Sequence, residues 1–173
     1  MKEKILLEKK YNIPIEIFSA GYRAYQRKFV DTRRYFFTTV FLILTANFVY
    51  GAVKDSDNYF AYILIVICLA LAFREWFNPV KMRKSVIESY GQLGDPVYCL
   101  TVTEDEITIE TENEITEEAE EAPQPARLPV NDELRLLEYD DFFLIVYGKQ
   151  VFYIVPKTDF TETELEIIRK INK

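Results

Sequence analysis

The stretch "VYGAVKDSDNYFAY", residues 49–62, decides the fold because its polar centre, "KDSDN", separates two long apolar runs. The first run, Tyr35 to Val53, is 19 residues without a charge, and the second, Tyr59 to Phe73, is 15 residues without one. As helices they would span about 28 Å and about 22 Å, close to a bilayer core of about 30 Å. Neither run has the polar face of a soluble surface helix. We therefore predict a transmembrane helical hairpin over residues 35–80, and the alternative is a hairpin buried in a soluble core.

Basic residues lie on both sides of the hairpin, whereas the connecting loop carries only Lys54, offset by Asp55 and Asp57. The positive-inside rule then predicts that both flanks and both termini are cytoplasmic. The same basic residues are candidate contacts for anionic lipid headgroups: Arg23, Arg27, Lys28, Arg33, Arg34, Lys81, Arg83 and Lys84. The alternative is that they only anchor the topology.

The charge of the chain is unevenly distributed. Residues 1–84 carry 14 basic and 7 acidic residues, and residues 85–126 carry 12 acidic residues and no basic one. A basic half beside apolar runs indicates a membrane surface more than nucleic acid as its partner. The chain contains no His, and its two cysteines, Cys68 and Cys99, are far apart. Two lone thiols are typical of a reducing compartment.

The N-terminal segment combines a possible strand with an amphipathic helix. "ILLEKKY", residues 5–11, alternates loosely, and Pro14 suits the first turn of a helix. Four aromatic residues then recur at spacings of 4, 3 and 4, on one face of that helix: Phe18, Tyr22, Tyr25 and Phe29. An edge strand over "YNIPIEI", residues 11–17, is the alternative. We predict that residues 4–12 pair with the sheet over residues 97–173, which makes the hairpin an insertion within one domain.

After the hairpin, residues 78–96 predict a short helix broken by Gly91, Gly94 and Pro96. The hydrophobic period then becomes two and predicts six short antiparallel strands: "VYCLTVT", "EITIETE", "ARLPV", "LRLLEY", "FFLIVYG" and "QVFYIVP". Thr161 and Glu164 form a capping box for a C-terminal helix that should close the sheet. Residues 112–126 read as a solvated acidic loop. The predicted fold is an α+β membrane protein divided into residues 1–34, 35–80 and 81–173.

Catalytic patterns are missing from the sequence. No P-loop, no dinucleotide glycine pattern and no G-x-S-x-G elbow is present, and no His exists to activate a serine. Asp140 and Asp141 fall at a predicted turn, where Asp is common for backbone reasons. Lys157 is interpreted as a solvated strand-end residue, with an anion contact as the alternative. No cofactor and no catalytic residue is predicted.

The C-terminal half resembles a known family. The strand pair with its acidic turn, the "LP" entry at residues 128–129, the "YDDFFLIVYGKQVFYIVPK" hairpin and the helix after "DFTE" are similar to the YcxB-like proteins. The resemblance implies a bacterial protein of the cytoplasmic (inner) membrane, with a pleckstrin-homology-like sheet. It supplies no catalytic residues.

The expected function is a non-enzymatic integral membrane protein that displays a cytoplasmic protein- or lipid-binding module. Its expected partners are the lipid bilayer, an unidentified cytoplasmic protein and a second copy of the chain. The alternative is a subunit of a homo-oligomeric channel or transporter, in which Asn47 would contact a neighbouring helix within the membrane. The missing intramembrane charge disfavours transport, and an enzyme acting on lipids is disfavoured most.

Overall fold

The computed structural model describes residues 4–112, 124–148 and 151–171. The chain forms two compact units. The first, here called the β unit, combines Met1–Gly21 with Ser89–Lys173, and the second, the helical unit, is Tyr22–Glu88. In chain order the helical unit is therefore an insertion between the two segments that build the β unit.

The first sheet of the β unit contains strands from both segments. Its four antiparallel strands lie in sequence order: β1 (Leu7–Asn12), β2 (Val97–Val102), β3 (Glu106–Glu112) and β4 (Ala126–Pro129). β1 pairs with β2 along its whole length, from Leu7 opposite Val102 to Asn12 opposite Val97. The predicted pairing of residues 4–12 with the later sheet is confirmed for this strand, and the edge-strand alternative over residues 11–17 is wrong because a helix begins at Ile15.

The second sheet consists of the last three strands, β5 (Leu134–Glu138), β6 (Phe142–Tyr147) and β7 (Val151–Pro156), again antiparallel and in sequence order. The central strand is the most deeply buried, because its residues from Phe142 to Val146 are all buried. Among the described residues the two sheets share no strand ladder. The positions of the six predicted strands are confirmed, whereas the expectation of one closed sheet is wrong.

The C-terminal helix, α4 (Glu162–Lys170), begins as the sequence predicts. The backbone N–H of Thr161 donates to Glu164 Oε2 at 2.7 Å, which completes the capping box. Leu165 and Ile168 are buried on one face. Ion pairs join α4 to both sheets, from Lys9 to Glu164 at 3.3 Å and from Arg169 to Glu138 at 2.8 Å. The helix thus contacts both open sheets instead of closing a single one.

Glu138 at the end of β5 is the centre of an ion-pair cluster. Its carboxylate accepts hydrogen bonds from Arg169 Nη2 and from Lys157 Nζ, each at 2.8 Å. The Lys157 side chain is only 17% exposed in this contact, so the interpretation of Lys157 as a solvated residue is wrong, whereas its contact with an anionic ligand stays a prediction. These hydrogen bonds, first from Arg169 and then from Lys157, lower the pKa of Glu138 from 4.5 to about 2.

We expect Glu138→Gln to remove a pH-dependent contribution to stability. A carboxyl whose pKa is lowered by folding stabilises the folded state above its unfolded pKa, and that contribution disappears as the pH falls from about 4.5 to about 2. The contribution should be about 1 kcal/mol at most, because Glu138 is 40% exposed and solvent screens the pair. Melting temperatures of the wild type and the variant should differ near neutral pH and converge below pH 4.5. A difference that stays constant on acidification would contradict this assignment.

The helices are longer than the sequence predicts. Helix α1 (Ile15–Tyr25) continues through a π-helical segment, Gln26–Val30, into α2 (Asp31–Lys54). After a four-residue turn, α3 extends from Tyr59 to Gln92. Both runs contain a helix long and apolar enough to cross a membrane. Residues 78–92 are helical as predicted, but they are not a separate helix, because α3 continues through Pro79 and Gly91. The predicted break at Gly94 is confirmed, since α3 ends at Gln92 and the φ of 61° at Gly94 suits glycine at a helix C-terminus.

Candidate functional site: an arginine cleft in the helical unit

A basic cleft of about 190 Å³ lies in the helical unit. We call it the arginine cleft, and its lining residues are Arg23, Gln26, Arg27, Asp31, Arg34, Pro79, Val80 and Arg83. The lining contains four guanidinium groups and one carboxylate, which gives it a formal charge of +3. A concave site with this excess of arginine favours an anion as its ligand.

The spacing of residues along the helices explains how the cleft forms. Arg23, Arg27, Asp31 and Arg34 follow one another at steps of 4, 4 and 3, which place them along one helical face. On α3, Pro79 and Arg83 are four residues apart and likewise share a face. The two faces come from distant parts of the chain, so the cleft depends on tertiary structure.

Gln26 connects these two faces. It is the one buried polar residue among the residues that the structure describes, and its Nε2 donates to the carbonyl oxygen of Pro79 at 3.0 Å. Gln26 also begins the π-helical segment, a local widening that is frequent at functional sites. This hydrogen bond joins the cleft residues that precede α2 to those on α3, and it does so at Pro79, the proline inside α3.

Arg34 is the most enclosed arginine of the cleft whose contacts are defined. Its side chain is only 13% exposed, and its Nη2 lies 3.2 Å from Asp31 Oδ1. Its guanidinium carbon is 4.4 Å from the centroid of the Trp76 ring, which is a close cation–π geometry. Its Nε is buried and has no hydrogen-bond partner among the described residues. A buried donor without a partner costs about 1–3 kcal/mol, so this atom favours an additional ligand.

Trp76 is the only tryptophan in the chain, and its ring covers one face of the Arg34 guanidinium. Its indole Nε1 donates to Thr38 Oγ1 at 3.2 Å, and its ring meets Tyr35 edge-on with centroids 5.9 Å apart. These contacts link α2 with α3 beside the cleft.

The structure separates the eight predicted lipid-contact residues into two groups. Arg23, Arg27, Arg34 and Arg83 line the cleft, and the other four do not: Lys28, Arg33, Lys81 and Lys84. In this second group, Arg33 lies over the ring of Phe37, and Lys84 pairs with Glu88 on the surface. Asn47 is exposed on α2, and no hydrogen bond to it is found in the described part of the chain. Its contact with a second copy stays a prediction.

The β unit holds a second concave feature of similar volume. An aromatic cavity of about 190 Å³ is lined by Tyr11, Ile13, Phe18, Tyr98, Phe152, Tyr153 and Ile154. Burial raises the pKa of Tyr11 well above its usual range, so the phenol stays neutral. None of its described lining residues carries a carboxylate or a thiol. In residues 4–112, 124–148 and 151–171, no group of three Cys, Asp or Glu side chains is arranged to hold a metal ion.

Asp140 and Asp141 lie at the bend before β6, as the sequence predicts, and the carbonyl of Asp141 accepts the backbone N–H of Lys157. The acidic loop over residues 112–126 lies mostly outside the described residues, apart from its ends at Glu112 and at residues 124–126.

No family model, no curated protein and no solved structure matches the chain. Four cleft residues, Gln26, Asp31, Pro79 and Val80, were not among the predicted site residues. The 4, 4 and 3 spacing from Arg23 to Arg34 was the available signal for Asp31, whereas nothing in the sequence pattern pointed to the contact between Gln26 and Pro79.

Proposed function

We propose that this chain is a non-enzymatic integral membrane protein that holds a binding module at the cytoplasmic face of a bacterial inner membrane. α2 and α3 supply the transmembrane hairpin, and the β unit is the module. The proposal includes cytoplasmic N- and C-termini and an outer turn over residues 55–58.

The exposure of the apolar helices is the observation that carries the proposal. In the most apolar 18-residue windows of the two helical runs, only 6% and 17% of the residues are buried. Large side chains such as Phe36, Ile43 and Val66 are more than half exposed. Helices that are apolar all round and left uncovered by their own chain are suited to lipid. In a soluble protein the same surface would drive aggregation.

The way the hairpin is inserted supports a tethered module. β1 precedes the hairpin and β2 follows it, yet the two pair along six residues. The module is thus attached to the hairpin at two points of the chain. A module attached in this way stays at the membrane surface without a separate anchor.

A YcxB-like membership and a pleckstrin-homology-like module remain part of this proposal. Seven antiparallel strands in two sheets, followed by a helix that contacts both, are compatible with such a module. Fold likeness alone would not define the ligand. The class of ligand is inferred instead from the residues of the arginine cleft.

Cysteine labelling in intact cells tests the topology. The background is a chain in which Cys68→Ala and Cys99→Ser remove both native thiols. Ser56→Cys in the turn and Glu166→Cys on α4 then introduce single thiols at two exposed positions. A membrane-impermeant reagent should label the first and spare the second, because only the turn faces outward. After lysis both should be labelled.

Glu166 is chosen because Thr161 caps α4 and its replacement would disturb the helix. Both introduced thiols are exposed, so unequal labelling reports the side of the membrane and not burial. Labelling of Glu166→Cys but not of Ser56→Cys in intact cells would overturn the orientation. Release of the protein into the soluble fraction by alkaline carbonate would overturn membrane insertion.

A further inference from the structure

We propose that the arginine cleft is a binding site for a phosphoryl group, and that Arg34 and Arg83 bind it from the two sides of the cleft. The inference deepens the proposed function. Its lipid form, in which the phosphate belongs to a headgroup, rests on membrane insertion, whereas binding of free phosphate would not.

The charge of the cleft is the first argument. Four arginines surround about 190 Å³, and the single acid, Asp31, is already paired with Arg34. Guanidinium groups present a planar fork of N–H donors that matches the oxygens of a phosphate. A phosphoryl group carries one or two negative charges and several acceptor oxygens, so it would offset one or two of the three excess positive charges of the cleft.

The buried donor of Arg34 is the second argument. Nη2 is ion-paired with Asp31 and Trp76 covers the face of the guanidinium, yet Nε is buried with no hydrogen-bond partner in the described residues. Buried polar atoms in folded proteins almost always have a partner. An acceptor in the cleft would supply one, and it would also complete the fork of Arg34.

The position of the cleft along the helices is the third argument. Arg34 directly precedes the charge-free run that starts at Tyr35, and Pro79 to Arg83 follow the apolar part of α3. In a membrane, the ends of the apolar segments lie at the depth of the lipid phosphates. Basic pockets between helices at this depth bind lipid headgroups through their phosphates.

Trp76 provides a built-in probe for the test. Because it is the only tryptophan and lies 4.4 Å from the Arg34 guanidinium, a ligand that draws on Arg34 should change its fluorescence. The full chain in nanodiscs of phosphatidylcholine is compared with the full chain in nanodiscs that also contain phosphatidic acid. A third arm titrates inorganic phosphate into the phosphatidylcholine nanodiscs.

A saturable change of Trp76 fluorescence in either phosphate arm, and none with added chloride at equal ionic strength, is the expected result. A change with phosphatidic acid alone assigns the ligand to lipid, and a change with inorganic phosphate assigns it to a free anion. Arg34→Gln and Arg83→Gln should each weaken binding about tenfold or more, as expected for a lost charge-assisted hydrogen bond. Arg34→Lys keeps the charge but loses the fork, so it should weaken binding as well.

Arg33→Gln is the matched control. Arg33 is an exposed neighbour on the same helix and does not line the cleft, so its loss should leave the affinity within about twofold of the wild type. Equal losses for Arg33→Gln and Arg34→Gln would mean a diffuse surface charge and would overturn the proposal. The absence of a saturable signal in both phosphate arms would also overturn it.

Melting temperatures of all variants separate a lost site from a lost fold. Arg83→Gln lies on a different helix from Arg34→Gln, so two independent variants must fail together if the site is real. The labelling experiment above tests insertion separately. A chain that inserts but binds no phosphoryl group would refute this inference alone, and a chain that does not insert could still bind inorganic phosphate.

Discussion

Replacing Tyr11 with alanine is expected to destabilise the β unit by about 3–5 kcal/mol, the usual cost of removing a large buried aromatic side chain. Tyr11 is only 3% exposed, although it lies in a strand that precedes the helical unit. Its ring stacks on Tyr98 of β2 at 5.7 Å and approaches Phe160, before α4, at 5.9 Å. Loss of this ring would leave a void between three elements.

The measurement is thermal unfolding of the full chain in detergent, followed by circular dichroism. For a unit of this size, about 1 kcal/mol corresponds to roughly 4 °C, so the melting temperature should fall by about 12 °C or more. Glu8→Ala is the matched control, since Glu8 lies in the same strand with its side chain exposed. A surface substitution of this kind should change stability by less than about 0.5 kcal/mol.

The contrast between the two variants tests whether β1 belongs to the core of the β unit. If Tyr11→Ala behaved like Glu8→Ala, β1 would be dispensable, and the pairing of β1 with β2 would not hold the two segments of the unit together. The proposal of a module attached to the hairpin at two points would then lose its support.

The sequence predicted the strands well because their patterns are local. In "EITIETE" the alternation of apolar and polar residues sets which side chains are buried, namely Ile107 and Ile109, and short turns set the ends. In "LRLLEY" the alternation breaks at Leu137, and Leu136 and Leu137 are both half-buried. The pairing of β1 with the later sheet could also be predicted, because an open sheet edge favours an added strand. The expectation that this pairing covers three adjacent apolar residues is confirmed only for Leu7, since Ile5 and Leu6 are 55% and 37% exposed.

Other features depend on contacts that no local pattern contains. Proline costs about 3 kcal/mol or more inside a helix, and the sequence predicted a hairpin that ends at residue 80 followed by a separate helix over residues 78–96. The structure has a continuous α3 at that position, with the Pro79 carbonyl bound by the side chain of Gln26, 53 positions earlier in the chain. The division into two sheets could not be predicted from the sequence either. Short turns predict that successive strands lie next to each other, but they do not show which pair of successive strands forms no ladder.

In the arginine cleft, too, some features follow from the local sequence and others from tertiary contacts. The sequence identified the basic residues that flank the apolar runs, since charge composition is a direct property of the chain. It did not distinguish Arg34, which is mostly buried against Trp76, from its exposed neighbour Arg33. That difference arises from which helical face meets α3, and adjacent residues on a helix lie about 100° apart.

Gly21→Ala is expected to give the second large change in the free energy of unfolding. The sign of this change is what tests the structure. In an exposed helix, alanine is more stable than glycine by about 1 kcal/mol. Gly21 lies in α1, but a Cβ atom there would be 2.5 Å from Cδ1 and 2.7 Å from Cγ1 of Ile154 in β7. Ile154 is 2% exposed and enclosed by the core, so it has little room to move. We expect a loss of about 1–3 kcal/mol in place of a gain.

Gly51→Ala is the matched control for this sign. Gly51 is also inside a helix, α2, but no atom lies within 4 Å of the Cβ that alanine would add. Its substitution should therefore leave the melting temperature of the full chain unchanged or raise it, while Gly21→Ala lowers it by roughly 4–12 °C. A rise for both variants would show that α1 does not pack on β7 at Gly21.

The pair of Gly21 and Ile154 can be tested further by a double-mutant cycle. Ile154→Ala alone should cost about 2–5 kcal/mol, because it removes a buried side chain. In the double variant the added methyl group at position 21 enters the space that the isoleucine left. The two losses should therefore sum to more than the loss of the double variant, by about 1–2 kcal/mol. Strict additivity would mean that the two positions do not touch, and α1 would then be held against the β unit by its contacts near Phe18 and Tyr90, whose rings stack at 3.8 Å, and not by this close approach.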